Sequence, residues 1–321
     1  MDRRRFLLTS LAGALAAPVA AEGQQGKVAR LGVLWPSAAA PAPPRMESLR
    51  QGLRESGYIE GQNLAIEIRL SPDLERLRGL AEELVRAHVN VIVSFGDGGP
   101  RAAQQATTQV PIVAVADDIV GAGLATNLGR PGGNLTGITI LSPELSAKRL
   151  ALLKELRPGL SRVAVLWDPA TPSQLKVTEA AAQSLGIRVQ ALPVRSRADV
   201  AAAFDLAKKE RAEAVNVLAS PLLSSLQSDI LERVTKARLP GIYQWKEHAE
   251  AGGLISYGPR LAAMWQQTGH VIAKILNGAK PGDLPVEQPI KFELVINLKT
   301  AKALGLTIPP SLLLRADQVI E

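Results

Sequence analysis

Acidic side chains follow two apolar runs of this sequence, at positions where a carboxylate can bind a cationic group. Asp117 and Asp118 end the run that starts at residue 109, and Asp168 ends the run 162–167. A carboxylate at such a position accepts charge-assisted hydrogen bonds from a ligand ammonium group. We expect one member of the Asp117/Asp118 pair to face a ligand and the other to be solvated. Asp168, followed by Pro169, is equally typical of an ordinary turn.

A possible anion site is indicated by the segment 97–100, Asp-Gly-Gly-Pro, which precedes a helix predicted over 101–108. Free backbone N–H groups at a helix N-terminus favour an anion such as a ligand carboxylate. Asp97 and Gly98 are therefore candidate ligand-binding residues. The alternative is that the Asp97 side chain caps this helix.

Aromatic residues make up only 3% of the chain, and most of them fall at or just beyond the ends of predicted strands. Trp35, Trp167 and Tyr243 can stack on a ring or line an apolar pocket. Packing beneath a cleft is the alternative for Trp35 and Trp167. Trp265 lies within a predicted helix, where packing is the simpler interpretation.

Polar candidates occupy similar strand-end positions. Ser37 follows the first apolar run, and Ser220 follows a run in the second half of the chain. Thr139 and Tyr257 lie on strands expected to cross between two lobes, where a side chain can sense their closure. These four residues complete the predicted ligand-binding set.

Composition argues against several kinds of chemistry. Cysteine is absent and the three histidines lie far apart, so we expect no metal site. Neither a phosphate-binding loop nor a Gly-x-Gly-x-x-Gly turn follows the first strand, so we expect no cofactor and no enzyme, although a site built only from aspartates stays open. The net charge of +7 and the pI near 9.8 are not concentrated in a basic cluster, so nucleic acid is not an expected partner.

The elements that must position these residues occur twice. Leu34-Trp35 corresponds to Leu166-Trp167, and Val89-Asn90-Val91 corresponds to Val215-Asn216-Val217, each about 130 residues later. Both copies alternate apolar strands with helical stretches, which predicts an α/β fold of two Rossmann-like lobes, parallel sheets flanked by helices, joined by a multi-strand hinge. Such sheets bind ligands at the carboxyl ends of their strands, so two facing lobes form a cleft.

The points at which the chain is expected to cross between the lobes define the domains. We assign residues 28–139 and about 257–285 to lobe 1 and residues 140–256 to lobe 2. The segment 286–321 is a C-terminal crossing whose lobe the sequence leaves open.

Residues 1–21 have the features of an export signal: three arginines at 3–5, a short apolar stretch and the small-residue end Val19-Ala20-Ala21. We expect cleavage after Ala21 and a periplasmic protein that does not span the membrane. The arginines fit twin-arginine export, and ordinary Sec export is the alternative.

Several motifs in order carry a family resemblance: DRRRF (2–6), GLRESGYIEGQN (52–63), RPGGNLTG (130–137), AGGLISYG (251–258) and FELVINLKTAKALGL (292–306). Over almost the whole chain beyond the leader, the sequence resembles ABC-transporter substrate-binding proteins of the tryptophan-binding TrpX type. The resemblance implies a type I periplasmic-binding-protein fold and delivery of a small solute to an ABC permease and its ATPase. Asp118 aligns with the aspartate of the family's Asp-Pro-Val segment, whereas Phe95 and Asp97 depart from the family's loop after the third strand.

We therefore expect a monomeric clamp that closes on a small molecule. An amino acid, aromatic or branched apolar, suits the aspartates and aromatic residues, and a sugar or nucleoside is the alternative. A periplasmic sensor that partners a membrane signalling protein is the competing function. A transcription regulator would need a helix-turn-helix segment before Val28, where only the leader is present.

Overall fold

A computed structural model describes residues 28–38 and 40–321. The predicted leader (1–21), its cleavage site and its arginines lie outside the described residues. Strands and helices alternate along most of the described chain. The strands are β1 (Ala29–Trp35), β2 (Leu64–Leu70), β3 (Val91–Phe95), β4 (Ile112–Ala116), β5 (Leu135–Thr139), β6 (Arg162–Trp167), β7 (Arg188–Pro193), β8 (Ala214–Val217), β9 (Gly241–Tyr243), β10 (Ile255–Pro259), β11 (Phe292–Asn297) and β12 (Gln318–Ile320). The helices are α1 (Pro43–Glu55), α2 (Leu74–Arg86), α3 (Gly98–Ala106), α4 (Ser142–Leu156), α5 (Pro172–Ser184), α6 (Arg197–Lys209), α7 (Pro221–Ser225), α8 (Gln227–Ala237), α9 (Lys246–Glu250), α10 (Leu261–Leu276), α11 (Leu298–Leu304) and α12 (Pro310–Leu313), with a 3-10 turn at Pro281–Asp283.

The first lobe is built on a five-stranded sheet of order β2-β1-β3-β4-β5, in which every neighbouring pair is parallel. Its inner strands β3 and β4 are buried along their whole length. Helices cover both faces of such a sheet, which is why these strands are continuous apolar runs in the sequence. Helices α1 and α10 pack on one face, and α2 and α3 pack on the other.

The second lobe is built on a seven-stranded sheet of order β12-β11-β10-β9-β8-β6-β7. All of its pairs are parallel except β10 with β11, which is antiparallel. The two parallel sheets flanked by helices confirm the predicted α/β fold class.

The chain passes between the sheets three times: after β5, after β10, and before β11. Tyr257 lies within β10 of the second sheet, so the return to the first lobe begins at α10. Segment 284–287 then runs beside β5, where Thr139 N donates to Glu287 O (2.9 Å) and Glu287 N donates to Gly137 O (2.8 Å). The residues from Phe292 onward form β11, α11, α12 and β12 with the second sheet.

The crossing of α1 and α10 is unusually close. A Cβ atom at Gly52 would lie 2.0 Å from the Gln266 carbonyl oxygen, and one at Gly269 would lie 2.6 Å from the Leu49 carbonyl oxygen. Two glycines therefore let the helix backbones touch. This contact sets the position of α10, which contributes to the cleft described below. No helix within the described residues is long and apolar enough to cross a bilayer.

Candidate functional site

A cavity of about 310 Å³ lies where the carboxyl ends of the strands of both sheets meet. The first lobe contributes the segments after β1, β3 and β4, and the second lobe contributes the start of α7 and the residues after β9. The two lobes touch at its edge, because a Cβ at Gly96 would lie 2.8 Å from Cγ of Pro221. This volume falls in the range of small-molecule sites, roughly 300–1,000 Å³.

One wall of the cavity is aromatic. The rings of Phe95 and Trp265 stack with their centroids 4.4 Å apart, and the rings of Trp35 and Phe95 lie edge to face with their centroids 4.9 Å apart. Trp245 of the second lobe also lines the space. Trp265 lies on α10. The sequence favoured packing for this residue, whereas in the structure it forms part of this wall. Such rings offer flat apolar surfaces to a ligand side chain.

A single carboxylate, Asp117, lines the cavity among the described residues. It follows β4, is 5% exposed, and accepts a 2.6 Å hydrogen bond from the Ser142 hydroxyl. Burial raises the pKa of Asp117 to about 8, and the nearby Asp97 carboxyl raises it as well. The Ser142 hydrogen bond opposes both effects.

Asp97 binds the adjacent strand end. Its Oδ1 accepts a hydrogen bond from Asp117 N (3.0 Å), and its side chain makes no cap bond to α3. Burial raises the pKa of Asp97 to about 6, while its hydrogen bonds to the backbone lower it. The alternative interpretation of Asp97 as a helix cap is therefore wrong, because its carboxylate binds the backbone of Asp117.

Asp118 has a local role in this structure. Its Oδ1 accepts a hydrogen bond from Gly121 N (2.8 Å), which closes the turn after β4. The sequence left open which of the two aspartates faces the cleft and gave Asp118 as the ligand-binding candidate, whereas Asp117 is the one that lines the cavity.

Behind Asp117 lies a buried polar row on α4. The Ser146 hydroxyl donates to Ser142 O (2.6 Å), and Nη2 of Arg149 donates to the Ser146 hydroxyl (2.8 Å). Nη1 of Arg149 donates to Tyr257 O on β10 (3.2 Å). Burial lowers the pKa of Arg149 to about 10, and the charge of Asp117 opposes that effect. The row thus connects the first-lobe carboxylate to a strand of the second sheet.

The second lobe supplies the opposite side. Ser220 lines the cavity, and its hydroxyl also caps α7 by accepting from Leu223 N (2.9 Å). The buried Gln174 holds this segment by donating to Ala219 O (2.7 Å) and accepting from Ala219 N (2.9 Å). Gln244 lines the cavity and contacts the Ser142 hydroxyl (3.4 Å).

A half-buried cation, Arg45 at the start of α1, lines the same cavity. Burial lowers the pKa of Arg45, and the charge of Glu247 raises it. The cavity therefore presents one cationic and one acidic side chain together with the aromatic wall.

Of the predicted ligand-binding residues, Ser37 and Ser220 line this cavity. Thr139 is fully buried, and its hydroxyl accepts a 3.3 Å hydrogen bond from Ile119 N. Gly98 begins α3 and packs against Leu74.

Four further predicted residues lie away from the lining. Asp168 Oδ1 accepts from Ala170 N (2.9 Å) in a turn, and Trp167 packs at the edge of a core cluster of the second lobe. The Tyr257 carbonyl oxygen accepts a hydrogen bond from Arg149, and the Tyr257 ring stacks on that of Phe292. Tyr243 is completely buried, and its ring stacks on His248.

The sequence interpretation did not select Asp117, Arg45, Trp265 or Gln244 as binding residues. Asp117 carried a usable signal, because it ends the same apolar run as Asp118. Arg45 and Trp265 had no such signal in the sequence, because each lies in a helix whose position over the strand ends is set by packing between residues far apart in the chain. Among the described residues, no cluster of His, Asp or Glu side chains is arranged to hold a metal ion.

Comparisons with known proteins identify the family of this chain. The profile of the family described as ABC transporter substrate binding protein matches residues 44–320. The chain is 25% identical over 278 residues to the tyrosine-binding protein of Clostridioides difficile strain R20291, covering 82% of this chain and 78% of that protein.

Two solved structures are similar over 91% of this chain. One is the ABC domain of Streptococcus pneumoniae in complex with L-Trp, with 27% identity, 99% of that chain covered and a TM-score of 0.83. The other is a conserved domain protein from Vibrio cholerae O1 biovar El Tor strain N16961, with 28% identity, 100% of that chain covered and the same TM-score. The fold is that of the type I periplasmic binding proteins, and the chain belongs to the ABC transporter substrate-binding protein family.

Proposed function

We propose that this protein captures an α-amino acid with an aromatic or large apolar side chain and delivers it to an ABC permease. The observation that carries the proposal is one cavity, lined by both lobes, with the buried carboxylate of Asp117 and an aromatic wall around the same space. The tyrosine-binding relative and the L-Trp complex support this class of ligand.

The lining suits the three parts of such a ligand. The ligand ammonium would donate hydrogen bonds to Asp117, and its carboxylate would pair with Arg45 and the hydroxyl groups of the second lobe. The side chain would lie against Phe95 and Trp265. A neutral sugar would leave the two charged residues uncompensated, which disfavours that alternative.

Binding would be strongest when the lobes are closed, because both contribute to the lining. A ligand that contacts both lobes shifts the equilibrium toward the closed form. The permease would then recognise the closed, loaded protein. Export through the leader, with cleavage after Ala21, would place this capture step in the periplasm.

The binding test is a thermal-shift screen of residues 22–321 against the proteinogenic amino acids, sugars and nucleosides. A ligand that binds only the folded state stabilises it by about 2.7 kcal/mol when the free ligand is at a hundredfold excess over Kd, and the melting temperature rises as a result. We expect L-tryptophan or L-tyrosine to give such a shift. Failure of every amino acid, together with a clear shift from a sugar or nucleoside, would refute the proposed ligand class.

Two matched variants test the assignment of the aspartates. Asp117→Asn removes the charge that faces the cavity, so the amino-acid shift should fall to a small fraction of its value. Asp118→Asn keeps an oxygen for Gly121 N, so the shift should persist. The reverse pattern would contradict the role of Asp117.

Uptake of the labelled amino acid separates the importer from the sensor. A cell that lacks this protein should lose uptake at low external concentration and regain it on complementation. Unchanged uptake together with a lost transcriptional response would favour the sensor.

A further inference from the structure

Half-buried Asp97 and buried Asp117 form an acidic pair at the edge of the cavity, joined by a hydrogen bond from the Asp117 backbone to the Asp97 carboxylate. Among the described residues, neither carboxylate makes an ion pair, whereas Asp117 N donates to Asp97 Oδ1 (3.0 Å). Asp117 is fully enclosed apart from the face that lines the cavity. Two ionised carboxylates placed so closely repel each other, and burial makes each charge expensive.

Other charges near the pair do not cancel the repulsion between the two carboxylates or the cost of burying them. Asp168 from the second lobe adds a third negative charge that disfavours ionisation of Asp117. The positive charge of Arg149 on α4 favours ionisation of Asp117. Arg101 on α3 favours ionisation of Asp97, and the charge of Asp118 disfavours it.

Arg149 already uses its Nη groups on Tyr257 O and the Ser146 hydroxyl. Its charge stays in place whether or not a ligand is bound, so it does not replace a cation delivered by the ligand.

We infer that the empty site retains one proton on the Asp97/Asp117 pair, and that the ammonium group of an entering ligand displaces this proton to solvent. This inference rests on the proposed function and extends it, because it makes capture of an ammonium-bearing solute a proton-releasing step. The site would select a cationic head group by exchanging it for the proton.

The exchange balances in charge. The empty pair with one proton carries one negative charge. In the loaded site the O–H bond has broken, the proton has passed to the buffer, and the ammonium group faces Asp117 while both carboxyl groups of the pair are ionised, which again leaves one negative charge on these three groups. The charge of the acidic pair and the ammonium group together is therefore the same in both states, and the ligand carboxylate is compensated separately by Arg45, which lines the same cavity.

Calorimetric titration with L-tryptophan and L-tyrosine tests the inference. Observed binding enthalpies in phosphate and in Tris, at about pH 7, give the number of protons released per ligand. We expect a value near one and, by linkage, a Kd that falls up to about tenfold per pH unit as the pH rises from about 6 to about 8.

Binding with a buffer-independent enthalpy and a Kd that does not change with pH would overturn the inference and leave the proposed ligand class standing. Absence of binding by every amino acid would instead remove the proposed function, and this inference with it.

Variants locate the proton. Asp97→Asn keeps an acceptor for Asp117 N but removes the repulsion, so proton release at pH 7 should drop and the pH dependence of Kd should move to lower pH. Asp229→Asn changes a half-buried aspartate that pairs with Arg197 on α6, and it should release as many protons as the wild type. Equal proton release by wild type and Asp97→Asn at every pH would contradict the paired site.

Discussion

A Gly52→Ala substitution tests the close crossing of α1 and α10. The added methyl carbon would lie 2.0 Å from the Gln266 carbonyl oxygen and 2.9 Å from its carbon, so backbone atoms must move. Overpacking of this kind costs roughly 1–3 kcal/mol, against a helix-propensity gain of up to about 1 kcal/mol from replacing glycine by alanine. Because the clash is with backbone, we expect a net loss of about 2 kcal/mol in the free energy of unfolding.

Gly79→Ala is the matched control. Gly79 also lies inside a helix, α2, but no atom comes within 4 Å of a Cβ built on it. Here the propensity gain acts alone, and we expect a gain of about 0.5–1 kcal/mol. The same chemical change should therefore have opposite signs at the two positions.

Thermal and urea unfolding followed by circular dichroism measure the difference. At roughly 2–4 °C per kcal/mol, Gly52→Ala should lower Tm by about 5 °C and Gly79→Ala should raise it by about 2 °C. Ligand binding gives a second readout, since displacement of α10 moves Trp265 out of the aromatic wall. If Gly52→Ala matched Gly79→Ala in stability and kept the full ligand shift, the helices would not touch as described.

Three further predictions concern buried polar groups. The Tyr243 hydroxyl is buried and has no hydrogen-bond partner among the described residues. Tyr243→Phe should therefore be neutral or should stabilise by about 1 kcal/mol in urea unfolding, and a clear loss would reveal a hidden partner. Gln174→Leu leaves Ala219 N and O unpaired and should cost about 1–3 kcal/mol while weakening ligand binding; wild-type stability would refute its role as a clamp. The pKa of Asp117 is raised on folding, so its contribution to stability is fully present below its unfolded pKa near 4 and is lost as pH rises toward about 8. Asp117→Asn should therefore be more stable than the unliganded wild type near pH 8, by an amount on the order of a few kcal/mol. This difference in the free energy of unfolding should vanish near pH 4. A difference that does not change with pH would contradict the burial of this carboxyl.

Local patterns predicted most elements of the fold well. The helix predicted over 101–108 overlaps α3 (Gly98–Ala106), and Trp265 lies within a helix, α10, as predicted. The duplicated order of strands and helices indicated two parallel sheets. Tyr257 was placed at the start of a first-lobe segment, but a short apolar strand has no local feature that names its sheet, and β10 pairs with β9 and β11.

The candidate cavity lies in the region that the sequence predicted, but only some of the predicted residues line it. The strand ends that carry Ser37, Asp97 and Ser220 were identified from apolar runs alone. Asp117 and Asp118 were not distinguished, because which of two consecutive side chains enters the cavity depends on how the strand end turns against its neighbours. Tyr243 illustrates the same limit, since it ends a strand and yet packs inside the second-lobe core.

The sequence by itself determined the α/β class, the duplication, the family and the rim of the cleft, because each of these depends on residue types at short or regular spacing. Only the tertiary structure decided that Trp265 from α10 joins Phe95, that Arg45 and Asp117 share one cavity, and that Arg149 supports β10 from α4. These contacts join residues far apart in the chain through helix crossings and three passages between the lobes. Their geometry is set by packing across the whole molecule, which no local pattern encodes.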